Sequence, residues 1–520
     1  MTRRWPHLTA AVTAAVLLLG SAPGCTNYYL PLGSMTVNFP GFSGDAMAES
    51  EVRARLRLPD GFAINTWASG IANARFLRFT ETGDLLVSAP REGTIWLVER
   101  DANGDGTSDG RRALLTDLNR PHGIALHEGW LYVGETDGVI RLRFDAATRA
   151  VSGQPEKIVE GLPAGGNHWT RTVDVGPDGK LYVSIGSSCN VCEEADRRRA
   201  AIVRYDLDGS NEEIYASGLR NAVGFAWQPG TGDLYATDNG RDMLGDDFPP
   251  CELNRVVQGG FYGWPYANGD RVPDPDFGAA NPERVATSIS PVFGFGAHTA
   301  PLGLAFYEGS AFPEKYRGAI FVALHGSWNR SRKSGYEVVA VFLDGKGGAR
   351  EEKFLSGFEI DERVYGRPVD VAVGPDGALY VSDDFTGVVY RVVYGGAAPL
   401  PSAPRADGAA SVVGGAAGRA GAAATKVAGD PLAGVTDAER TRATATGSAL
   451  WAANDCARCH VRQEASAETY RPLQGLASKY GVDSLATFLR TPQPPMPAYP
   501  FSDAERRALA IWLLATHGRE

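Results

Sequence analysis

Long apolar segments and an excess of positive charge are both lacking in this sequence of 520 residues. After residue 25 no stretch is long and apolar enough to cross a membrane, which takes roughly 20 consecutive apolar residues. The chain has 51 lysines and arginines against 61 aspartates and glutamates, which gives a net charge of −10. Proteins that bind nucleic acids usually carry an excess of positive charge, which contacts the phosphates. The sequence therefore argues against a membrane-spanning protein and against a general nucleic-acid binder.

Cysteine is also sparse, with six residues in the whole chain. Three of them belong to the two ends of the chain, and the other three are Cys189, Cys192 and Cys251. Three is an odd number, so in an oxidising compartment one of them stays free or bonds elsewhere. The segment "SSCNVCEE" has the form of a zinc half-site, but no second Cys/His pair accompanies it. A local disulfide, or a bridge to Cys251, is therefore favoured over zinc.

The N-terminal segment has the features of a secretory signal. Arg3 and Arg4 precede an apolar run, which is followed by small residues and Cys25. The stretch "SAPGC" resembles the cleavage box of bacterial lipoproteins, although Ala22 stands where leucine is usual. We expect a lipoprotein signal over residues 1–25, with release into the periplasm as the alternative. The predicted location is the periplasm or cell envelope, with membrane contact only through a lipid anchor on Cys25.

A pair of apolar runs separated by a Gly- or Pro-marked turn recurs along the chain, and the second run often ends in "LYVS" or a similar sequence. This pattern is typical of a β-hairpin, and a third short strand usually follows it. The six copies begin at Phe76, Gly123, Thr172, Val223, Leu302 and Val369. Most are spaced about 45–50 residues apart, which predicts an all-β six-bladed β-propeller. A β-sandwich, the alternative, does not account for six phased hairpins.

The composition changes after Tyr394. Residues 397–433 are rich in Ala, Gly and Pro and contain almost no large apolar residues, so they cannot form a core and are predicted to be a flexible linker. Helical patterning then returns, and Ser502 followed by Glu505 forms a capping box. The predicted domains are a signal peptide at 1–25, an N-terminal linker at 26–49, the propeller at 50–396, the linker at 397–433 and a small all-α domain at 434–520.

The segment "NDCARCH" at residues 454–460 carries Cys-x-x-Cys-His, the attachment signature of a c-type haem. Cys456 and Cys459 are the expected thioether positions, and His460 is the expected proximal ligand. Met496 lies in a Pro-rich loop before the last helix and is the predicted distal ligand, because His/Met ligation suits electron transfer. His517, the alternative, falls in the last turn of that helix. The sequence thus predicts a c-type cytochrome domain with one haem c.

The predicted hairpins place many polar groups at one mouth of the propeller, because the residue before a first strand and the residue after a second strand lie at the same end of a hairpin. Four of the eight histidines and several arginines fall in this ring, although the protein is acidic overall. Arginines gathered at one mouth suggest an anionic, planar ligand held by forked hydrogen bonds. The ring consists of Arg75, His122, His168, Arg171, Arg220, Asn221, His298 and Arg367 before first strands, and of Glu135, Ser187, Asn239, Arg241, His325, Asp383 and Asp384 after second strands.

Several segments in this ring resemble one known family. They are "GGNHWTRTVDVGPDGKLYVSIGSS", "ASGLRNAVGFAW", "ATDNGRDMLGDD", "GGFYGWPY" and "ALHGSWNRS". These segments are similar to the glucose/sorbosone dehydrogenase family, six-bladed quinoproteins that use pyrroloquinoline quinone (PQQ). The resemblance covers roughly residues 50–395. Its closest subgroup is the sorbosone dehydrogenase type with a fused cytochrome c.

The resemblance implies roles for individual residues. His168 matches the catalytic base that takes the substrate hydroxyl proton, a task that suits an imidazole. Arg220 and Asn221 match residues at the quinone carbonyls, where Arg220 would stabilise developing negative charge. Arg367 matches an arginine that holds a cofactor carboxylate. The remaining expected PQQ contacts are Arg75, Arg171 and His325, with Arg330 or Lys333 replacing a second family arginine whose place is taken by Val369.

The resemblance also implies a calcium ion beside the quinone, where it acts as a Lewis acid. Gly240 and Arg241 match positions that supply backbone carbonyls. Cys251 stands where the family has a carboxylate ligand, and a thiol is a poor ligand for a hard cation. Asp246 or Asp247 is the expected substitute.

The segment "DANGDGTSDGRR" is a second calcium candidate. Asp101, Asn103, Asp105 and Asp109 have the 1-3-5-9 spacing of a calcium loop, but Arg112 takes the place of the closing glutamate. An acidic surface hairpin without metal is the alternative.

Together these features predict a PQQ-dependent dehydrogenase that oxidises a sugar, a sugar aldehyde or a polyol. Electrons would pass from the reduced quinone to the haem, and then to a soluble cytochrome, a cupredoxin or the membrane quinone pool. A calcium-dependent lactonase is one alternative, since six-bladed propellers also host such hydrolases, but a fused electron carrier would then be idle. A non-catalytic propeller that docks the cytochrome is the other, but it would need neither His168 nor the arginine-rich mouth.

Overall fold

The computed structural model describes residues 28–32, 35–39, 43–396, 480–490 and 501–517, together with scattered residues between 432 and 476. Contacts divide the chain into two units, residues 1–405 and 406–520. The predicted signal peptide with Cys25 and most of the predicted linker lie outside the described residues, as do the haem positions Cys456, Cys459, His460 and Met496. No helix in the described ranges has the length and hydropathy needed to cross a bilayer.

Among the residues that the structure describes, the first unit is built mainly from strands. Two short helices, α1 (Glu49–Arg55) and α2 (Pro282–Thr287), and a 3₁₀ turn at Glu314–Tyr316 accompany them there. The strands, in chain order, are β1 (Tyr28–Leu32), β2 (Met35–Phe39), β3 (Phe62–Ala68), β4 (Leu77–Phe79), β5 (Leu85–Ala89), β6 (Thr94–Val98), β7 (Arg111–Leu115), β8 (Ile124–His127), β9 (Trp130–Glu135), β10 (Gly138–Asp145), β11 (Ala150–Val159), β12 (Arg171–Val175), β13 (Leu181–Ile185), β14 (Ala201–Tyr205), β15 (Glu213–Ser217), β16 (Phe225–Trp227), β17 (Leu234–Asp238), β18 (Pro250–Val256), β19 (Gly260–Phe261), β20 (Ala267–Asn268), β21 (Val272–Pro273), β22 (Phe293–Ala297), β23 (Pro301–Phe306), β24 (Ile320–Leu324), β25 (Glu337–Leu343), β26 (Ala349–Leu355), β27 (Glu359–Ile360), β28 (Arg363–Val364), β29 (Pro368–Val373), β30 (Leu379–Asp383) and β31 (Val388–Tyr394).

Six antiparallel sheets form the blades of a six-bladed β-propeller, which confirms the predicted fold of this unit. The blades are β4–β7, β8–β11, β12–β15, the group β16, β17, β18 and β22, then β23–β26, and β29–β31 with β3. Strand β19 adds to the third of these sheets in a parallel direction. In every blade the first two strands form the hairpin that the sequence pattern predicts.

The last blade is closed by a strand from the beginning of the chain. Strand β3 pairs antiparallel with β31, with Phe62 opposite Tyr394 and Ile64 opposite Val392. A free sheet edge exposes unpaired N–H and C=O groups, and closure of this kind protects such edges. The ring of blades is therefore held shut by main-chain hydrogen bonds between its two ends.

The core lies between neighbouring blades, where the second strand of each hairpin is buried. All five residues of β5, β13, β17, β24 and β30 are buried. Strands covered on both faces are expected to be apolar on both faces rather than to alternate, which explains the recurring "LYVS" pattern. Each fully buried Leu or Val side chain contributes about 1.5–3 kcal/mol by leaving water. These strands thus fix the ends of the hairpins that carry the site.

Stability is expected to fall as the pH rises from about 4 to about 7, because of a buried carboxyl group in the centre of the propeller. Asp370 accepts a hydrogen bond of 2.8 Å from the Leu77 N–H, and burial raises its pKa from 3.8 to about 7. The folded state therefore holds a proton that the unfolded state has already released, so its contribution is lost as the pH rises. Asp370→Asn keeps an acceptor for Leu77 and loses this dependence. Urea unfolding at pH 5 and at pH 8 measures the change. From pH 5 to pH 8 the unfolding free energy of wild type should fall by on the order of a few kcal/mol more than that of the variant. Equal falls in the two proteins would contradict the raised pKa of Asp370.

The second unit is described mainly through two helices, α3 (Val482–Arg490) and α4 (Asp503–His517). Leu485 and Leu489 of α3 are buried in one cluster with Leu509 and Leu513 of α4. The predicted capping box is present: the Ser502 N–H donates to Glu505 Oε2 at 2.7 Å, and the Glu505 N–H donates to Ser502 Oγ at 3.3 Å. The helical pattern of these two segments is as predicted, whereas the cytochrome assignment stays a prediction.

Candidate active site

A cavity of about 350 Å³ opens at the mouth of the propeller. This volume lies within the range of roughly 300–1,000 Å³ that small-molecule sites occupy. Its wall is formed by residues that precede first strands or follow second strands, as the hairpin geometry predicts. The polar part of the wall consists of Arg75, Asn167, His168, Thr170, Arg220, Asn221, Asn239, Asp242, His298, His325 and Asn329, and Gly240, Cys251, Trp169 and Trp328 also line it.

His168 is held in one orientation by its ring Nδ1. This nitrogen lies 2.8 Å from the Ser187 carbonyl oxygen and 3.0 Å from Ser187 Oγ. A carbonyl can only accept, so Nδ1 carries the proton and Nε2 is left with its lone pair. Within the part of the chain that the structure describes, no hydrogen bond to Nε2 is found. Burial, assisted by the positive charge of Arg220, lowers the pKa of His168 to about 3, so the ring is neutral at ordinary pH and can accept a proton at Nε2.

A glycine lets His168 and Asn221 approach each other closely. A Cβ on Gly186 would collide with Asn221 Oδ1 and lie 2.6 Å from His168 Cβ. Because glycine has no side chain, the His168 and Asn221 side chains can pack close to each other at the wall. The sequence carries this residue in "SIGSS", but its role is visible only in the packing.

Arg220 uses every one of its N–H donors within the protein. Its Nε donates to the Asn190 carbonyl at 2.9 Å, and Nη1 donates to the carbonyls of Asn239 at 3.2 Å and Gly240 at 2.9 Å. Its Nη2 donates to Asn190 Oδ1 at 2.9 Å and to Asp242 Oδ2 at 2.8 Å. The predicted forked hydrogen bonds to a ligand are thus occupied by protein acceptors. What Arg220 presents to the cavity in this arrangement is its charge.

A second charged group contributes to the opposite part of the wall. Asp384 is buried and pairs with Arg75 Nη1 at 2.7 Å, Arg367 Nε at 2.6 Å and His325 Nε2 at 3.1 Å. These cations hold the pKa of Asp384 well below its usual range. Burial lowers the pKa of His325 to about 4, so the two arginines and one carboxylate leave a net positive charge. Arg75 carries it to the wall, where the neutral His325 also lies. Arg367, which was predicted to hold the ligand, does not line the cavity.

Arg171 was expected to contact the ligand, but its side chain is fully buried behind the wall. It donates to the carbonyls of Pro163 at 2.5 Å, Thr170 at 2.7 Å and His168 at 3.1 Å. Burial lowers its pKa to about 9. Arg171 is the first residue of β12 rather than the residue before that strand, and its guanidinium points into the loop that carries His168. Through these hydrogen bonds to carbonyl groups, Arg171 holds the loop that carries His168.

Arg330 and the two aspartates expected to bind calcium form a group away from the cavity wall. Arg330 Nη2 donates to Asp247 Oδ1 at 3.0 Å, and the Ser331 N–H donates to Asp246 Oδ1 at 3.0 Å. Lys333 also lies off the wall. The structure therefore does not bring these four predicted residues to the cavity wall. The loop after β17, which carries Asp246 and Asp247, bonds instead to the loop after β24, which carries Arg330 and Ser331.

Of the four positions predicted to bind calcium, all of which the structure describes, only Gly240 lies on the wall. The Arg241 side chain turns away and pairs with Asp274 at 2.6 Å. The carboxylate that does reach the wall is Asp242, which accepts from Arg220 and from Asn329 Nδ2 at 2.6 Å. Sequence reasoning missed Asp242 and Asn329, although both lie inside quoted segments, because loop residues have no periodicity that indicates a direction.

The cysteine pairing is the local one. Cys189 and Cys192 form a disulfide, and Cys251 is a free, buried thiol. A bridge from Cys251 to either cysteine, one of the two alternatives, is therefore wrong. Burial raises the pKa of the Cys251 thiol, which keeps it neutral and unsuited to a hard cation. In the described ranges the single cluster of three metal-ligand types is Cys189, Cys192 and Glu194, whose sulfurs are bonded to each other, which excludes zinc there.

The acidic hairpin at residues 101–112 turns its carboxylates toward its own backbone. Asp101 Oδ1 accepts from the N–H of Gly104 at 2.7 Å, and Asp109 Oδ2 accepts from the N–H of Ala102 at 3.0 Å. The hairpin is thus stabilised by its own hydrogen bonds, and the choice between a calcium loop and a metal-free hairpin stays a prediction.

Comparison with known families matches the TrAA12-like family over residues 56–251 and 279–395, which is more than half of the chain. The chain belongs to the TrAA12-like family. The matched ranges leave out residues 252–278, which include the short strands β19–β21. The cavity wall residues all fall within the matched ranges.

Named relatives of this TrAA12-like protein include sugar dehydrogenases. An uncharacterized protein of Borreliella burgdorferi is 31% identical over 68% of this chain and 94% of its own length. The aldose sugar dehydrogenase of Escherichia coli strain K12 is 26% identical, over 44% of this chain and 60% of its own length. The fold resembles the holo form of the pyranose dehydrogenase PQQ domain from Coprinopsis cinerea, with a TM-score of 0.57, 22% identity, and coverage of 65% of this chain and 97% of that chain. The predicted resemblance is thus confirmed at the level of the family, while the sorbosone subgroup and the fused cytochrome c stay predictions.

Proposed function

We propose that this TrAA12-like protein is a PQQ-dependent dehydrogenase that oxidises a sugar, a sugar aldehyde or a polyol. The observation that carries the proposal is the neutral His168, which presents a proton-free Nε2 to a cavity whose wall is positively charged. The names of the aldose sugar dehydrogenase and of the pyranose dehydrogenase PQQ domain support the substrate class and the cofactor.

The wall fits an anionic quinone in two respects. Arg220 lies at the wall as an ion pair with Asp242, and Arg75 brings the net positive charge of the Asp384 group to the wall. Arg75 Nε is buried and has no hydrogen-bond partner among the described residues, and a buried donor without an acceptor is costly. A carboxylate of PQQ would supply that acceptor. We therefore assign PQQ binding to Arg75, Asn221 and His325, with Arg220 acting through its charge.

Bound PQQ supplies the acceptor for the hydride that leaves the substrate carbon. The residues of this chain activate and orient the substrate for this hydride transfer. His168 Nε2 accepts the proton of the substrate hydroxyl, which raises the electron density on the oxygen. Ser187 holds the opposite nitrogen and so keeps the ring in the required tautomer. Arg220 would stabilise negative charge that develops on the bound group, since a fixed cation near such charge favours it.

A calcium ion is proposed at the same wall, with ligands that differ from the predicted set. Asn239 Oδ1 is buried and finds no hydrogen-bond donor in the described ranges. Gly240 and Asp242 line the same cavity with oxygen atoms that also accept from Arg220. Oxygen atoms of carbonyls and carboxylates are the donors that calcium prefers. These three residues, rather than Asp246 or Asp247, are the candidates to hold the ion.

We further propose that electrons leave through a haem c in residues 434–520, bound by Cys456 and Cys459 with His460 and Met496 as axial ligands. This part rests on the sequence motif, since these residues lie outside those the structure describes. A soluble cytochrome, a cupredoxin or the membrane quinone pool would accept the electrons next. The Cys189–Cys192 disulfide suits an oxidising compartment, in keeping with the proposed envelope location and lipid anchor on Cys25.

The proposed function is tested with the full chain reconstituted with PQQ and Ca²⁺. A panel of aldoses, sugar aldehydes, polyols and lactones is supplied, and both an artificial dye acceptor and the haem absorption bands are followed. We expect at least one sugar or polyol to reduce the dye and the haem, and no reduction when PQQ is omitted. If the whole panel leaves both oxidised, the dehydrogenase assignment is wrong; dye reduction without haem reduction would overturn only the electron path.

A further inference from the structure

The Cys189–Cys192 disulfide closes a four-residue ring in the loop between β13 and β14, and Asn190 of this ring contacts Arg220 of the cavity wall. Residues 186–200 contain neither helix nor strand, so no ladder of main-chain hydrogen bonds fixes the course of this loop. A cross-link reduces the number of conformations that such a loop can adopt. The bridge therefore takes the place of regular secondary structure in a segment that contacts the cavity wall.

Asn190, inside that ring, contacts the groups that surround Arg220. Its carbonyl oxygen and its Oδ1 accept from Arg220 Nε and Nη2, both at 2.9 Å. Its Oδ1 also accepts from the Asp242 N–H at 2.8 Å, and its Nδ2 donates to the Asp242 carbonyl at 3.0 Å. Trp264 Nε1 adds a longer contact of 3.3 Å to the Asn190 carbonyl. One residue thus supplies two of the five acceptors of Arg220 and holds the backbone of Asp242, whose carboxylate pairs with Arg220.

The same ring also reaches His168. The Cys189 carbonyl accepts a hydrogen bond of 2.7 Å from Ser187 Oγ, and Ser187 in turn holds His168 Nδ1. Ser188, the next residue, is tied to Glu194 by its N–H at 2.6 Å and its Oγ at 2.8 Å. The disulfide ring is therefore connected on one side to the proposed base and on the other to the cation at the wall.

We propose that Asn190 is a positioning residue for Arg220 and that the Cys189–Cys192 bridge holds Asn190 in place. This inference rests on the proposed function, because it assumes that Arg220 acts on a bound quinone. Active-site groups must be held to within about 0.5 Å, and a displacement of about 1 Å can cost on the order of a hundredfold in rate. A bridge placed only for stability would leave the cofactor affinity and the turnover number of the folded protein unchanged.

The test compares wild type with Asn190→Ala and with the double variant Cys189→Ser/Cys192→Ser. Val191→Ala, in the same ring, is the matched control. Three quantities are measured: the Kd of PQQ, by fluorescence titration of the protein free of cofactor, and the kcat and KM for the best sugar of the panel. We expect both test variants to weaken PQQ binding about tenfold and to lower kcat about tenfold to a hundredfold, with KM nearly unchanged. Val191→Ala should match wild type.

Thermal unfolding of each variant is recorded so that loss of fold is recognised. If the double variant does not fold, Asn190→Ala, which leaves the bridge intact, decides the question. Folded test variants whose Kd and kcat both lie within about twofold of wild type would overturn the inference while leaving the proposed function in place. If wild type itself neither binds PQQ nor oxidises any member of the panel, the proposed function is wrong and the inference fails with it.

Discussion

Replacement of His168 by alanine is expected to slow sugar oxidation at least about a hundredfold, since a positioned general base contributes roughly 10²–10⁴-fold to rate. The variant loses the nitrogen that accepts the hydroxyl proton, but it keeps Arg75, Asn221 and Arg220. PQQ should therefore still bind, and the loss should appear in kcat rather than in the cofactor Kd. Steady-state kinetics and a PQQ titration of the same preparation measure the two quantities separately.

The other two cavity histidines are less suited to this role. His298 Nε2 lies 2.7 Å from the Gly245 carbonyl and its Nδ1 lies 3.1 Å from Asn329 Nδ2, so both of its ring nitrogens are engaged. His325 Nε2 faces Asp384. If His168→Ala retains most of its activity, the base must be placed elsewhere, and His325 becomes the next candidate.

The control for this deletion is His127→Ala. His127 lies at the far end of strand β8, away from the cavity wall, and its contact is a 4.0 Å approach to Glu128. This variant should retain the wild-type kcat. A further check follows from the pKa of about 3 that burial imposes on His168. Histidine ¹⁵N spectra of the protein without cofactor should show this ring neutral down to about pH 4, whereas titration near 6.5 would contradict the described environment.

The fold could be predicted from the sequence because the inner strands are covered on both faces. Strands such as β13 and β30 are buried throughout and read as continuous apolar runs with a turn before them. The outermost strands could not be predicted in this way. Strand β7 is "RRALL" with its first three residues exposed, and nearly all of β11 is exposed, so neither carries an apolar signal. The closing role of β3 depends on the first and last strands of the propeller meeting, which no local pattern indicates.

The site was predictable as far as hairpin geometry extends. The residues before and after the strands are fixed in space by the ladder, and His168, Arg220 and Asn221 are on the wall for that reason. The rule gives the position of a Cα but not the direction of a long side chain, as Arg171 shows by turning into its own loop. Asn190 was missed because it lies in an irregular loop.

The largest effect on stability is expected from Asp384→Asn, since the buried Asp384 carboxylate pairs with two buried arginines, Arg75 and Arg367. The variant has nearly the same shape but leaves Arg75 and Arg367 as buried charges without a counter-charge. Removing one partner of a buried ion pair typically costs about 3–5 kcal/mol of unfolding free energy. Urea unfolding at pH 7 measures this loss. Glu156→Gln, which breaks the exposed pair with Arg141 at 3.0 Å, is the control and should cost at most about 1 kcal/mol.

The pH dependence of this loss identifies its cause. The surrounding cations lower the pKa of Asp384 well below 3.8 in the folded state, so its carboxylate stabilises the fold above about pH 4 and that contribution disappears as the pH falls through the folded pKa. The gap in unfolding free energy between wild type and Asp384→Asn should therefore be widest at neutral pH and narrow in acid. A gap that is small at pH 7, or that stays constant down to the lowest pH at which wild type folds, would show that the charge of Asp384 does not stabilise this part of the wall.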